Sequence, residues 1–210
     1  NERTNDTMAV SSYDNGSVTL GDGAVLTVNS NAENTDKIIN NVVKTDTKGK
    51  VTFDGGMTLV GSQNAIYSTD EGSSVSAMKD GRKVILGNLE SEKKGSIRLN
   101  LNTGDSYMVG NLKSATDGSI KLALNAPNAY LRGKSTVDGG DTEVTLANGA
   151  RWDMTASSQV TGLDHSNGGI VNMQYNPEYQ QLDVGTYSGQ NGIFRMKTAL
   201  DSETNGDKVY

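Results

Sequence analysis

The stretch 87-GNLESEKKGSIRLNL-101 returns, 23 positions further on, as 110-GNLKSATDGSIKLAL-124. Gly, Asn, Leu, Ser, Gly, Ser, Ile, Leu and Leu recur in register. Within each copy apolar and polar residues alternate, as in Ile97-Arg98-Leu99 and Ile120-Lys121-Leu122. Alternation of period two describes a strand with one dry face. One coil of this length cannot bury that face alone. Stacked on its neighbours, with rungs about 4.8 Å apart, it sets each residue over its counterpart.

The pattern continues on both sides of the quoted pair. Inward-reading pairs fall at Val51/Phe53, Val75/Ala77, Ile97/Leu99, Ile120/Leu122, Val144/Leu146, Val171/Met173 and Phe194/Met196. Glycines precede most of them (Gly49, Gly95, Gly118, Gly169, Gly192), where a sharp corner would need a residue without a side chain. Val18/Leu20 begins an earlier copy, and its longer gap to Val51 predicts a loop insertion in 29–40. Each period holds a second strand: 24-AVLTV, 57-MTLV, 83-KVILG, 106-SYMVG, 129-AYLRG, 150-ARWDM and 181-QLDVG. A weaker third follows in some copies, such as 65-AIY and 158-SQVTG. The sequence therefore predicts an all-β chain. Residues 1–210 form a single right-handed parallel β-helix, or β-solenoid, of about seven to eight rungs of roughly 23 residues. A propeller blade, at about 40 residues or more, does not fit the period. Asn88 and Asn111 share a corner and are expected to form an Asn ladder along the axis.

The chain has 210 residues, 25 Gly, 2 Pro, no Cys and a net charge of −6. No more than two basic residues adjoin (Lys93-Lys94), so a nucleic acid is not an expected partner. Without Cys there are no disulfides and no thiolate metal sites. No apolar run approaches the length of a membrane-spanning helix. The sequence begins at NERTNDTMAV and stops at NGDKVY inside its own pattern, as a piece of a longer protein would.

The C-terminal third resembles a known family. The stretch 144-VTLANGARWDMTASSQVTGLDHSNGGIVNM-173 is similar to the segment near the end of pertactin-like autotransporter passengers of type V secretion. Asn148-Gly149-Ala150, Trp152, Ser157-Ser158, Val160, Leu163 and Gly168-Gly169 carry the likeness. The motif that follows in the family is matched in 182–210 by Leu182, Val184, Tyr187, Gly189, Gly192, Phe194, Met196, Thr198, Leu200, Gly206, Asp207 and Val209. Ile193 stands where the family often has Thr, and the motif breaks off after Gly206-Asp207. The resemblance implies a passenger displayed on the extracellular side of the outer membrane of a Gram-negative bacterium. It would meet the membrane only through a C-terminal β-barrel outside this chain. Such passengers are commonly adhesins, and some carry a protease or esterase upstream of the helix.

Residue by residue, the sequence favours structure over chemistry. Gly104-Asp105-Ser106 looks like a nucleophile block, but a serine nucleophile needs a histidine within hydrogen-bond reach. The one histidine, His165, is several rungs away in sequence and reads as a surface-loop residue in 163-LDHSNGG-169. Asp138 and Asp141 flank Gly139-Gly140, which reads as a turn, with weak Ca²⁺ binding as the other reading. Trp152 reads as core. Tyr107 and Tyr130 lie one rung apart and are expected to stack outward, with Arg151 as a cation–π neighbour. Tyr107, Tyr130 and Arg151 are thus the candidate ligand or self-association surface. No catalytic residue, metal or cofactor is expected.

The expected function is that of a non-catalytic, surface-displayed adhesin passenger, acting in cell adhesion, aggregation or biofilm formation. Its partner would be a host or bacterial surface protein or glycan, with weak homotypic association alongside. Two alternatives stand: a stalk presenting an upstream enzyme domain, and a β-helical polysaccharide-cleaving enzyme.

Overall fold

A computed structural model describes residues 7–29, 39–199 and 205–210. The chain winds as a parallel β-solenoid of about seven turns, about 23 residues apart. The insertion expected in 29–40 falls mostly on residues 30–38, outside the described residues, as does Leu200.

Each full turn supplies strands to three faces. The first face is a nine-stranded sheet that includes Lys50–Phe53, Ser96–Leu101, Ser119–Leu124 and Asp141–Leu146. The second face includes Tyr107–Val109, Tyr130–Gly133, Arg151–Met154, Ile170–Asn172 and Ile193–Arg195. The third holds Thr7–Ser12, Asn40–Thr45, Leu112–Ala115 and Ser135–Asp138. Two long strands, Met57–Thr69 and Lys83–Glu92, bend around the corner from the second face to the third.

The core is a set of like-on-like ladders. On the second face the inward column runs Leu26, Leu59, Ile85, Met108, Leu131, Trp152, Val171 and Phe194 in unbroken register. On the first it includes Leu99, Leu122, Val144 and Leu163, and on the third Val43, Ile66, Leu89 and Leu112. Members from Leu59 to Val171 are buried. Each fully buried aliphatic side chain contributes roughly 1.5–3 kcal/mol before its entropy cost.

Polar corners are satisfied by the same repetition. The hydroxyls of Ser12, Ser68 and Ser91 accept backbone N–H bonds from Lys50, Ser96 and Ser119 of the first face. Beside them the chain passes so close that a Cβ on Gly95 or Gly118 would meet the carbonyl oxygen of Ser68 or Ser91 at 2.3 or 2.2 Å. These two positions require glycine. The Asn ladder is present, with a different bonding pattern. Asn111 N–H donates to Asn88 Oδ1 at 2.9 Å, and Lys134 N–H donates to Asn111 Oδ1 at 3.1 Å. An amide-to-amide bond occurs two rungs earlier, from Asn64 Nδ2 to Asn41 Oδ1 at 3.0 Å.

The structure corrects the strand frame in the last turns. Val144 lies under Leu122, and Ile120 pairs with Thr142. Val171 and Phe194 belong to the second face, over Trp152, whereas Gln181–Ser188 belongs to the first. The cause is a shorter turn. Asn172 bonds Asp153 only 19 residues back, and Ser158–His165 runs from the third face directly into the first.

Candidate functional site

The outward side of the second face carries the site. Tyr107 and Tyr130 pair in register and stack with centroids 5.2 Å apart and planes 5° from parallel. The Arg151 guanidinium covers the other face of Tyr130 at 5.6 Å. The three residues expected to form a surface are therefore brought together, but the rings are half-buried and stack along the axis. Tyr130 has neighbours on both ring faces, so edges and hydroxyls point outward, and its faces are not open for stacking a sugar.

The neighbouring outward column was not anticipated. It runs Val60, Leu86, Val109, Arg132, Asp153, Asn172 and Arg195. Its first three residues form a half-buried apolar stripe beside the tyrosines. Arg132 then meets Asp153 in the next rung. Asp153 is 1% exposed, and its Oδ1 lies 2.8 Å from Arg151 Nε and accepts from Asn172 Nδ2 at 2.8 Å. Arg132 Nη2 stands 3.6 Å from Asp153 Oδ2, beyond hydrogen-bond length. Its guanidinium lies between two rings, Tyr130 at 5.3 Å and Tyr175 at 4.8 Å. Tyr175 comes from the short 3-10 turn Met173–Tyr175 and is exposed. Outward alternation alone would have flagged Arg132 beside Asp153. Tyr175 becomes visible only once the 19-residue turn is known.

Serine and histidine are not brought together. Ser106 is buried. Its hydroxyl accepts from Lys83 N–H at 2.9 Å and lies 2.6 Å from the Thr103 hydroxyl. Asp105 is held by Arg82 at 3.0 Å. Ser106, Ala129, Ala150 and Gly169 occupy successive corners, and His165 bonds the last of them. That sets Ser106 and His165 three rungs apart, roughly 14 Å at the rung spacing. Among the described residues no three His, Cys, Asp or Glu side chains gather as metal ligands would. Asp138 is exposed, and Asp141 accepts from the Thr161 hydroxyl.

His165 is fully buried, contrary to the reading of a surface loop. It stands under Leu146 in the first-face register, at an inward position. Its Nε2 is 2.7 Å from Gly169 O, and Tyr187 Oη is 3.4 Å from Nδ1. With the proton on Nε2 the ring donates to Gly169 O and the phenol donates to Nδ1; with it on Nδ1, Nε2 instead accepts from Ile193 N–H at 3.1 Å. Phe194 packs edge-on at 4.8 Å. Burial pushes the imidazole below its ordinary value, partly offset by the Gly169 carbonyl and by Asp164. The unfolded chain then takes up a proton as pH falls through about 6.5, while the folded one does not. Stability is therefore expected to fall from about pH 6.5 downward and to be flat above it. Melting temperatures at pH 7.5 and 5.5 check this. His165→Leu, which restores the residue type found at Leu146, should remove that part of the pH dependence.

Other buried polar groups are structural. Lys83 is fully buried, and its ammonium donates to Lys79 O at 2.5 Å and Gly81 O at 3.2 Å. On the third face Tyr67 donates to Glu92 Oε1 at 2.6 Å, and burial raises its phenol well above the ordinary value.

The fold and this surface define a parallel β-solenoid with an aromatic–cationic flank. No protein-family model matches the chain, and no curated protein or solved structure matches it.

Proposed function

We propose that this chain is a non-catalytic passenger segment of the pertactin-like autotransporter kind. It would act in adhesion, aggregation or biofilm formation on the extracellular side of a Gram-negative outer membrane. The observation that carries this reading is the second-face flank. Apolar residues (Val60, Leu86, Val109), a tyrosine stack (Tyr107, Tyr130) and cations (Arg132, Arg151) lie outward on one flat, parallel surface. Flat rows of this kind suit contact with a second extended surface better than they suit enclosure of a small substrate. The burial of Ser106 and its separation from His165 weigh against hydrolysis by those two residues.

Beads coated with the chain test the reading. They are expected to clump with one another and to adhere to cell layers. Added salt should raise clumping, because screening weakens repulsion between chains of net charge −6. Replacing Tyr107 and Tyr130 with Ser should lower clumping several-fold, which corresponds to about 1 kcal/mol or slightly more. Beads that behave like albumin-coated ones in both assays would rule the proposal out.

A further inference from the structure

We infer that Arg132, held between Tyr130 and Tyr175, is a receptor for the carboxylate of an acidic glycan. The inference deepens the adhesive reading above and rests on it. Four observations carry it.

First, the guanidinium is fixed. Tyr130 at 5.3 Å and Tyr175 at 4.8 Å hold it between them, so little side-chain freedom remains to be lost on binding. Second, its donors are not used up. Its Nη2 stands 3.6 Å from the nearest carboxylate oxygen, beyond hydrogen-bond length, so the outer edge of the guanidinium is open, while Nε is buried. Guanidinium forks match a carboxylate in a bidentate manner, and such charge-assisted pairs are the strong ones. Third, it is reachable: the Arg132 side chain is 35% exposed, whereas Asp153 is 2% exposed. Fourth, the local charge is positive in a chain of net charge −6. Arg132 and Arg151 face the single carboxylate of Asp153, which leaves about one positive charge. Arg195, exposed two rungs beyond Asp153 in the same column, adds another.

The geometry favours a glycan over an acidic peptide. The faces of Tyr130 are occupied, and the groups beside Arg132 that point outward are tyrosine edges, phenol hydroxyls and the Asn172 amide, which suit hydroxyl-rich ligands. A glycan chain laid along the flank would place one carboxylate at Arg132 and reach Arg195 with another. The two arginines, three rungs apart in one column, are about 14 Å apart along the axis at the rung spacing.

Calorimetric titration with oligogalacturonate tests the site, with its methyl-esterified form and oligoglutamate as comparison ligands. The unesterified glycan is expected to bind, more weakly as salt rises, and the methyl ester to lose most of that binding. Arg132→Gln should weaken it about tenfold or more, and Arg132→Lys should restore only part, since a lysine cannot pair bidentately. Tyr175→Ala, at an exposed ring, should weaken it several-fold without unfolding the protein. It serves as the check should Arg132→Gln fold poorly. Binding unaffected by either substitution overturns the site. Equal or tighter binding of oligoglutamate overturns the glycan assignment. The bead assay separates the two readings. If wild-type and Arg132→Gln beads adhere equally to cells and glycan binding does not depend on Arg132, the adhesive reading stands and this site falls. If neither adheres while Arg132-dependent glycan binding persists, the site stands without it.

Discussion

Ile120→Asp should cost several kcal/mol, a large part of the 5–15 kcal/mol that holds an ordinary domain together. Ile120 is fully buried between Ile97 and Thr142, in a ladder with no room for a counter-ion. An aspartate there would take a charge out of water, or bind a proton to avoid doing so. The adjacent Lys121→Asp gives the internal comparison. Lys121 faces outward and holds both oxygens of Glu143 at 2.8 Å, with 46% and 48% of the two side chains exposed. Losing that exposed pair and setting two carboxylates opposite each other should cost about 1 kcal/mol. Denaturant midpoints of the two variants check the contrast. Equal losses would mean that the inward and outward faces of the first sheet are interchanged.

Trp152→Ala is expected to be nearly as damaging, for a different reason. Trp152 is fully buried between Leu131 and Val171, and its Nε1–H donates to Gly133 O at 2.9 Å. Truncation leaves a cavity in the middle of the second-face ladder, worth about 3–5 kcal/mol. It also takes from the buried Gly133 carbonyl its shorter bond and leaves only a long one from Thr155 N–H at 3.4 Å, at about 1 kcal/mol more. Trp152→Phe keeps most of the ring and loses the bond, so its cost should stay nearer the second figure. Because Trp152 is the sole tryptophan, its fluorescence reports on this one rung. A truncation costing less than about 1 kcal/mol would show that the ring is not part of the core.

The solenoid was legible in the sequence because like residues sit over like residues. Leu89 over Leu112 and Ile97 over Ile120 are both the sequence repeat and the spatial ladder. The outward tyrosine stack was legible by the same logic, one rung and one alternation step at a time. What was hidden depends on a change of period. The first face continues from Val144 to Leu163, only 19 residues on, whereas the 27-residue step from Val144 to Val171 lands on the second face, where Phe194 follows. His165 was hidden behind polar neighbours, Asp164 and Ser166, which point away while it points in. Only the pairing of Leu146 with His165 reveals this. Arg132 reads as solvent-facing in sequence, but its confinement between Tyr130 and Tyr175 requires knowing where the 3-10 turn lands.

The inter-rung hydrogen bonds, which run along the axis because the strands run across it, also set how the molecule carries load. A pull along the axis does not shear a whole sheet at once. It bears on the bonds of an end rung, a few at a time, and once that rung peels the next is exposed to the same force. Each release adds a contour of about 23 residues, whose extended length is on the order of 75 Å. The fold would then behave as a series of small mechanical fuses. Under the adhesive function proposed above, a cell tethered through such a rod would lengthen its attachment under flow while the remaining rungs, and the flank they display, stay folded.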